Sequence, residues 1–440
     1  MSNKMKANSP KPSGKPALAP KLRFPEFRGA VGWTTETLDS LAVISTEKVG
    51  SNTCIPMSIT SGVGLVSQLD KFGRVIAGSS YKNYLLLKKN DFAYNKSATK
   101  QYPEGFVAMY SGEKLAAVPN SIFTCFQIKG NSLVPQYLNY LLLGNLHGRW
   151  LRKFIEVGAR AHGSLSIDVE DLLALPVPLP GGKASLREQQ KIAECLSSVD
   201  ALIAAQARKV DALKTHKKGL MQQLFPREGE TQPRLRFPKF QNIDLWEEVA
   251  LGEIAEIKLG KMLDKQKHTT GRLLPYLNNM SVRWNEVNTS NLPQMYFGDN
   301  ELDRFGLKAG DVVVCEGGEP GRAAVWDGRL PELKFQKAIH RVRFNVSFDP
   351  RILVIHLQNL AGSNKFEMLF TGGGIKHFTL ETFAQLKIPL IPNNEQQRIA
   401  DCLTSLDDLI AAQTQKLAAL KTHKQGLMQQ LFPSPELVEV

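Results

Sequence analysis

The chain has 440 residues, a length that predicts two or three domains rather than a single core. Hydrophobic residues make up 42% and charged residues 22%, as in soluble globular proteins, and no apolar run reaches the roughly 18 residues of a membrane helix. The N-terminus lacks the apolar core of a secretory signal, so we expect a cytoplasmic protein. A net charge of +13 favours a polyanionic partner, with nucleic acid preferred to an anionic membrane surface.

Residues 1–21 form the first recognisable segment. They are rich in Lys, Pro, Ser and Asn and contain no acidic residue. A segment of this composition cannot bury a hydrophobic core. We therefore predict a disordered basic tail.

Short sequences then recur in the same order along the chain. LRFPEF at 22–27 is followed by Trp33, and LRFPKF at 235–240 is followed by Trp246, with both pairs 213 residues apart. Each half later contains a proline-rich exit, LPVPLP in the first half and IPLIP in the second. The chain is therefore a tandem duplication.

The regions inside the two halves match each other poorly. Residues 50–160 and 260–375 both contain short β-branched or aromatic runs bounded by Gly, Asn, Asp and Pro, which indicates short strands joined by turns. Helices are predicted near Val134–Leu146 and Pro350–Phe370. Each half is thus predicted to be a mixed α/β domain, and the divergent inserts suit two different targets.

The longest repeated block closes each half. Glu188–Pro226 recurs as Glu395–Pro433 with 29 of 39 positions identical. The block has no internal proline, is dominated by good helix formers and ends at LFP. It predicts one long helix in each half.

Apolar residues in this block follow alternating steps of three and four, the pattern of a coiled-coil seam. The predicted seam consists of Leu196, Val199, Ile203, Gln206, Val210, Leu213, Lys217, Leu220 and Leu224, and of Leu403, Leu406, Ile410, Gln413, Leu417, Leu420, Lys424, Leu427 and Leu431. The polar seam positions are the same in both copies and would set register at some cost in stability. We expect the two helices to cover each other; folding of each helix onto its own domain is the alternative.

These features together resemble the specificity (S) subunits of type I restriction–modification systems. The resemblance rests on the duplicated order, on EQQKIAECLSSVDALI and EQQRIADCLTSLDDLI, on the KTHKxGLMQQLFP ends and on the LRFP segments. CEGGEPGRAAVW and KAIHRVRF also resemble segments of that family's target recognition domains. The expected fold is mixed α/β, with two target recognition domains in tandem. Each is followed by a long helix, and the two helices pack as an antiparallel coiled coil with pseudo-twofold symmetry.

The resemblance also implies a division of the chain and a set of partners. The predicted parts are the tail (1–21), target recognition domain 1 (22–185), spacer helix 1 (186–226), a linker (227–234), target recognition domain 2 (235–392), spacer helix 2 (393–433) and a C-terminal tail (434–440). The implied partners are double-stranded DNA with a bipartite target, two methyltransferase (M) subunits and, in the full complex, two restriction (R) subunits, with no membrane. S-adenosylmethionine, ATP and magnesium are expected in those subunits and no cofactor in this chain.

No catalytic motif is recognisable in the sequence. The polar–Pro–Pro–aromatic loop of adenine methyltransferases and the GxxxxGK[ST] phosphate cradle are both missing. The five cysteines have no metal-binding spacing. We therefore predict a non-catalytic subunit. A coiled-coil scaffold that binds proteins or glycans is the main alternative, and a self-contained nuclease or methyltransferase is the weaker one.

DNA contacts are expected from basic and amide side chains in the inserts. The run Tyr94–Gln101 follows an apparent strand without any acidic residue, and Gly158–Gly163 is a basic loop flanked by glycines. The candidates are Arg74, Lys82, Asn83, Asn95, Lys96, Ser97, Lys100, Arg160 and His162 in the first half, and Asn278, Asn279, Arg283, Arg322, His340, Arg341, Lys376 and His377 in the second. A solvated or structural role is the alternative for each of them.

Overall fold

The computed structural model describes residues 18–60, 62–155, 160–161, 164–165, 167–227, 230–243, 245–263, 270–361, 363–372, 376–434 and 438. They divide into two compact units, Met1–Gln206 with Lys416–Val440 and Ala207–Gln415. The boundary between the units falls inside each of two long helices. Each unit therefore combines parts of both halves of the sequence.

The first unit is built on short strands, two four-stranded sheets and the helices that cover them. Its strands are β1 (Thr34–Thr37), β2 (Ala42–Ser45), β3 (Ile55–Thr60), β4 (Gly64–Ser67), β5 (Leu85–Leu87), β6 (Phe92–Asn95), β7 (Phe106–Met109), β8 (Ala116–Val118), β9 (Phe123–Ile128), β10 (Arg160–Ala161), β11 (Ser164–Leu165) and β12 (Pro176–Leu179). Its helices are α1 (Leu38–Leu41), α2 (Gln68–Phe72), α3 (Pro135–Leu143), α4 (Leu146–Leu151), α5 (Val169–Leu173) and the start of α6 (Ser185–Leu224), with 3₁₀ turns at Pro25–Phe27 and Ser79–Asn83.

The second unit contains the end of α6 and a similar set of elements. Its strands are β13 (Glu247–Ala250), β14 (Ala255–Leu259), β15 (Arg272–Leu277), β16 (Val282–Arg283), β17 (Glu286–Val287), β18 (Gln294–Phe297), β19 (Val312–Cys315), β20 (Ala323–Val325), β21 (Lys334–Phe335), β22 (Ile339–Phe344) and β23 (Lys387–Leu390). Its helices are α7 (Leu251–Ile254), α8 (Asp299–Leu302), α9 (Pro350–Leu360), α10 (Asn364–Glu367), α11 (Leu380–Ala384) and the start of α12 (Asn393–Leu431), with a 3₁₀ turn at Pro238–Phe240.

The two units share one strand order although their inserts match poorly in sequence. Four strands in the order β2-β9-β6-β7 correspond to β14-β22-β19-β20, and β4-β3-β8 corresponds to β18-β15-β21. In each unit the strand after the LRFP segment pairs antiparallel with the proline-rich exit strand, β1 with β12 and β13 with β23. The corresponding pairs β3–β8 and β15–β21 are both parallel.

A shared turn explains how the central strands β6 and β19 begin. The carboxylates of Asp91 and Asp311 accept hydrogen bonds from the backbone amides of Lys88 and Lys308, at 2.8 and 2.7 Å. The residue before each aspartate has a left-handed backbone, at φ 73° for an asparagine and φ 90° for a glycine. Asparagine and glycine tolerate this conformation best, which is why KKND and KAGD form the same turn.

The LRFP segments are held to the start of the long helices by buried ion pairs. The guanidinium of Arg23 donates to both carboxylate oxygens of Glu188, at 2.8 and 2.7 Å. Arg236 donates to Glu395 in the same way, at 2.9 and 2.6 Å. Only 1% of either glutamate side chain is exposed. Two parallel hydrogen bonds to one carboxylate define both the position and the orientation of the arginine.

The glutamine next to each glutamate binds a second element. The side-chain oxygen of Gln189 accepts from the amide of Val134 at 2.9 Å, and that of Gln396 accepts from the amide of Asp349 at 2.7 Å. Val134 and Asp349 precede the first residues of α3 and α9. We call Arg23, Glu188 and Gln189, with Arg236, Glu395 and Gln396, the anchor residues.

The two long helices pack together within each unit. In the first unit Leu196 shares a core with Leu431, and the ammonium of Lys424 lies 2.6 Å from the carboxylate of Asp200. In the second unit the same contact recurs between Lys217 and Asp407, again at 2.6 Å. None of the helices in the described ranges is long and apolar enough to cross a membrane.

The described end of the predicted tail packs on the first unit. Leu18 lies against the main core of that unit and its carbonyl accepts from the amide of Trp33 at 3.3 Å. Pro20 forms a bridge with Pro433. The predicted tail, residues 1–21, therefore extends too far into the folded chain. Composition alone contains no information about these contacts. Residues 1–17 lie outside the described ranges.

We predict that Arg236→Ala lowers the free energy of unfolding of the chain by about 3–5 kcal/mol, because the buried Glu395 carboxylate loses its counter-charge. Urea unfolding followed by tryptophan fluorescence measures this change, since Trp246 also donates to Glu395, at 3.0 Å. Arg234→Ala is the matched control, because Arg234 pairs with Glu230 at the exposed surface. Equal unfolding curves for the two variants would contradict the anchor role of Arg236.

Candidate nucleic-acid interface

In the first unit two predicted DNA-contact segments meet at the end of strand β6. The carbonyl of Lys96 accepts from the amide of Leu165 at 2.9 Å, which places the β10–β11 hairpin beside this strand end. The buried Asn95 accepts from the amide of Ser97 at 2.9 Å and so shapes the segment. Lys96 and Ser97 are half-buried. This backbone hydrogen bond therefore joins Lys96 to a strand that is far from it in sequence.

The second unit repeats this arrangement at the end of strand β19. The carbonyl of Glu316 accepts from the amide of Phe378 at 2.7 Å, and Gly317 forms a bridge with His377. Glu316 and Lys96 both directly follow the corresponding strands, β19 and β6. The two units thus present loops at equivalent positions, with different side chains on them.

A turn from another strand joins the site in the second unit. The side-chain oxygen of Asn278 accepts from the amides of Met280 and Ser281, at 3.0 and 3.1 Å. The side-chain amide of Asn279 lies 3.5 Å from the carbonyl of Gly317. The guanidinium of Arg322 donates to the carbonyl of Asn279 at 2.6 Å. Asn278 and Arg322 therefore hold the shape of this site, and the exposed side chain of Met280 projects from it.

The remaining candidates differ in exposure and in local contacts. Lys100, Arg74, Lys82, Asn83, Arg283 and His377 are exposed. Lys376 is exposed too and forms an ion pair with Glu367. Among the described residues, no hydrogen bond joins Arg74, Lys82 or Asn83 to the Lys96 segment. The side chain of Arg160 and the whole of His162 lie outside the described part of the chain.

His340 and Arg341 require a correction, because both side chains are buried inside the second unit. The ring of His340 is 0% exposed and forms a 2.7 Å hydrogen bond with the carbonyl of Phe378. Arg341 is 1% exposed and donates to the carboxylate of Glu256 at 2.6 Å and to the carbonyl of Gly306 at 2.9 Å. Burial also lowers the pKa of Arg341. Neither side chain can reach DNA from this position. The prediction was wrong because it treated the basic residues of strand β22 as exposed.

The predicted seam positions lie on covered faces of the two long helices. The buried positions are Leu196, Val199, Gln206, Val210, Leu224, Leu403 and Leu431. The half-buried positions are Ile203, Leu213, Lys217, Leu220, Leu406, Ile410, Gln413, Leu417, Leu420, Lys424 and Leu427. Their role as a coiled-coil seam stays a prediction.

The ion pairs of the long helices also contact the α/β domains. In the first unit the hydroxyl of Tyr140 on α3 donates to the carboxylate of Asp200 at 2.7 Å. In the second unit the side-chain amide of Asn285 donates to the carboxylate of Asp407 at 3.0 Å. The sequence prediction missed Asp200 and Asp407 as partners of the seam lysines. Both copies have aspartate at this position, as both have the same anchor residues, and this repetition could have identified these residues from the sequence.

No group of three or more His, Cys, Asp or Glu side chains in the described ranges is arranged to hold a metal ion. The buried thiols of Cys125 and Cys315 have raised pKa values, about 12 and about 11, because burial disfavours the thiolate. Thiols of this kind are poor nucleophiles.

Comparison with known proteins was consistent with this geometry. Residues 243–422 match the family model described as type I restriction modification DNA specificity domain. The chain is 27% identical over 337 residues to a Methanocaldococcus jannaschii protein named for the MjaX specificity subunit of a type I restriction enzyme, covering 74% of each sequence.

Two solved structures have a similar fold. One is the S subunit of a type I restriction-modification system from M. genitalium, with a TM-score of 0.55 and 15% identity over 95% of this chain and 100% of that chain. The other comes from a study of complex assembly and conformational transition of the type I R-M system, with a TM-score of 0.56 and 17% identity over 92% of this chain and 98% of that chain. The resemblance that the sequence indicated is confirmed.

We predict that His340 makes the stability of the second unit depend on pH. Burial lowers the pKa of His340 to about 4, whereas an unfolded histidine titrates near about 6.5. The unfolded chain binds more protons between these values, so the free energy of unfolding falls as the pH falls through this window. Between about pH 7.5 and about pH 5, the free energy of unfolding of the wild-type chain should fall by about 2 kcal/mol more than that of the His340→Gln variant.

Urea denaturation of both proteins at the two pH values measures this difference. His147 and His356, whose pKa values burial also lowers to about 4, are present in both proteins, so the comparison isolates His340. The same loss of stability in the variant and the wild type would show that His340 is not the titrating group.

Proposed function

We propose that this chain, whose residues 243–422 match the type I restriction modification DNA specificity domain, is the subunit that selects the DNA sequence for such a system. In this proposal each unit reads one half of a bipartite, asymmetric target. Residues 22–185 and 235–392 are the two target recognition domains. The observation that supports this most directly is the shared strand order of the two units, which carries different loops at equivalent positions.

The predicted contact surface in each unit is the group of loops at the end of the central strand. In the first unit it includes Lys96, Ser97 and Lys100, and in the second Asn279 and His377. Loops on a rigid scaffold are common sites of recognition because they can vary without disturbing the core. Lys and Arg side chains at the rim would hold phosphates, and amide side chains would read base edges.

The two long helices are proposed to form an antiparallel coiled coil that serves as spacer and as docking site. The reciprocal pairs Lys217–Asp407 and Lys424–Asp200 support this proposal, because each unit contains the same helix contact. Two equivalent helix segments suit two copies of one partner, so we propose that two methyltransferase subunits dock there. Two restriction subunits would complete the complex.

The catalytic steps are assigned to those partners. S-adenosylmethionine and adenine methylation belong to the methyltransferase subunits in this proposal, and ATP and magnesium belong to the complete complex. This chain contributes sequence selection and assembly, with no reaction of its own. A cytoplasmic location, where the complex would meet cellular DNA, is part of the proposal.

We predict that co-expression with the methyltransferase subunit of the same system produces methyladenine in both halves of a split motif. Long-read sequencing of genomic DNA, from cells that lack other adenine methylation, measures it. Omitting this chain is the control and should abolish the methylation. A stable complex that leaves the DNA unmethylated would favour the scaffold alternative.

A further inference from the structure

The first unit exposes four large apolar side chains close together in sequence. Leu69, Phe72, Val75 and Ile76 are 58%, 44%, 52% and 54% exposed, and we call them the apolar patch. Leu69 and Phe72 are three residues apart on helix α2 and so are neighbours on its surface. Scattered exposed apolar residues are ordinary, whereas grouped ones mark interaction sites.

The second unit contains the same local sequence in a covered position. QLDKFG at 68–73 corresponds to ELDRFG at 301–306, and both segments follow equivalent strands, β4 and β18. In the second unit Phe305 is 7% exposed, and its ring centroid lies 6.4 Å from that of Phe297 and 6.1 Å from that of Phe335. The first unit therefore exposes Phe72, whereas the second unit buries the corresponding Phe305.

Local hydrogen bonds and one glycine fix the backbone conformation of the segment that contains the apolar patch. Gln68 is 5% exposed, and its side-chain oxygen accepts from the amides of Ile76 and Ala77 at 2.9 and 3.0 Å. Gly73 ends α2 with a left-handed φ of 68°, a conformation that favours glycine. The exposure is thus built into the local fold.

Basic residues accompany the apolar patch. Arg74 lies within it, and Lys82 lies on the following 3₁₀ turn, both exposed. Neither side chain makes an ion pair or hydrogen bond with another residue in the described ranges. With a net charge of +13 for the whole chain, this surface favours a polyanion over a basic protein.

In the described ranges, Phe305 of the second unit is buried where its counterpart Phe72 is exposed, which favours a ligand that differs between the units. A partner common to both units would use a surface that both units share, such as the exposed faces of the repeated helices. Under the proposed function, the ligand that differs between the units is the DNA half-site. This inference rests on that proposed function.

We propose that the apolar patch contacts the DNA half-site read by the first unit, with its side chains against thymine methyl groups and Arg74 on a neighbouring phosphate. Thymine methyl groups are the apolar feature of the major groove, and proteins read them with apolar side chains. The patch is therefore a determinant of sequence specificity in the first unit.

The test uses the complex of the full chain with its methyltransferase subunit and a duplex that carries the mapped motif. Phe72→Ser and the double variant Val75→Ser with Ile76→Ser should bind this duplex about 10-fold more weakly, measured by fluorescence anisotropy. Replacing thymine by deoxyuridine in the first half-site should weaken the wild type and leave the variants unchanged. Val43→Ser, on an apolar residue 48% exposed outside the patch, is the matched control.

Three results would count against the inference. Wild-type affinity in the patch variants, at unchanged melting temperature, would overturn it. Loss of assembly with the methyltransferase subunit, while the assembled fraction keeps its DNA affinity, would assign the patch to a protein interface instead. Absence of any methylated motif with the wild-type complex would overturn the proposed function itself, and this inference with it.

Discussion

The architecture depends on a buried bidentate ion pair between the arginine of each LRFP segment and the long helix that follows, which both units contain. Arg23 with Glu188, and Arg236 with Glu395, join the start of a domain to the first turns of the long helix that follows it. A buried carboxylate without a cation is costly, and two parallel hydrogen bonds permit one orientation only. The neighbouring glutamine adds a third element, the helix that covers the sheet. The domain and its long helix are therefore held in one defined arrangement at this point.

Such an attachment allows the inserts to change while the scaffold persists. Strand pairing relies on backbone hydrogen bonds, which most side chains permit, so both units keep one strand order with little common sequence. The requirements that remain are local, such as the left-handed residue before Asp91 and Asp311. These requirements do not apply to the loops that follow β6 and β19. They are the part of each domain in which binding specificity can diverge.

The long helices show how polar contacts add specificity to an apolar interface. Lys217 and Lys424 occupy apolar-face positions, where an unpaired ammonium would be unfavourable. Asp407 and Asp200 supply the counter-charge at a single register, and Asn285 and Tyr140 connect these pairs to the α/β domains. A shifted register would separate the charges. These ion pairs are partly exposed, and pairs of this kind give little net stability.

The sequence by itself determined the duplication, the two long helices and the family resemblance, because identity and heptad spacing are local patterns that survive in the repeated blocks. It also placed the segment at 94–101 directly after a strand, where β6 ends. The prediction of DNA contact was wrong for His340 and Arg341, because the first four residues of β22 are buried on both faces of the sheet and the sequence does not show what covers either face.

Only the tertiary structure decided that the two dissimilar inserts share one strand order, that Glu188 and Glu395 bind the LRFP arginines, and that Phe72 is exposed where Phe305 is buried. Each of these depends on contacts between residues distant in sequence. Within six similar residues, the phenylalanine is exposed in the first unit and buried in the second, because different strands and loops surround it. The local sequence does not show which residues those are.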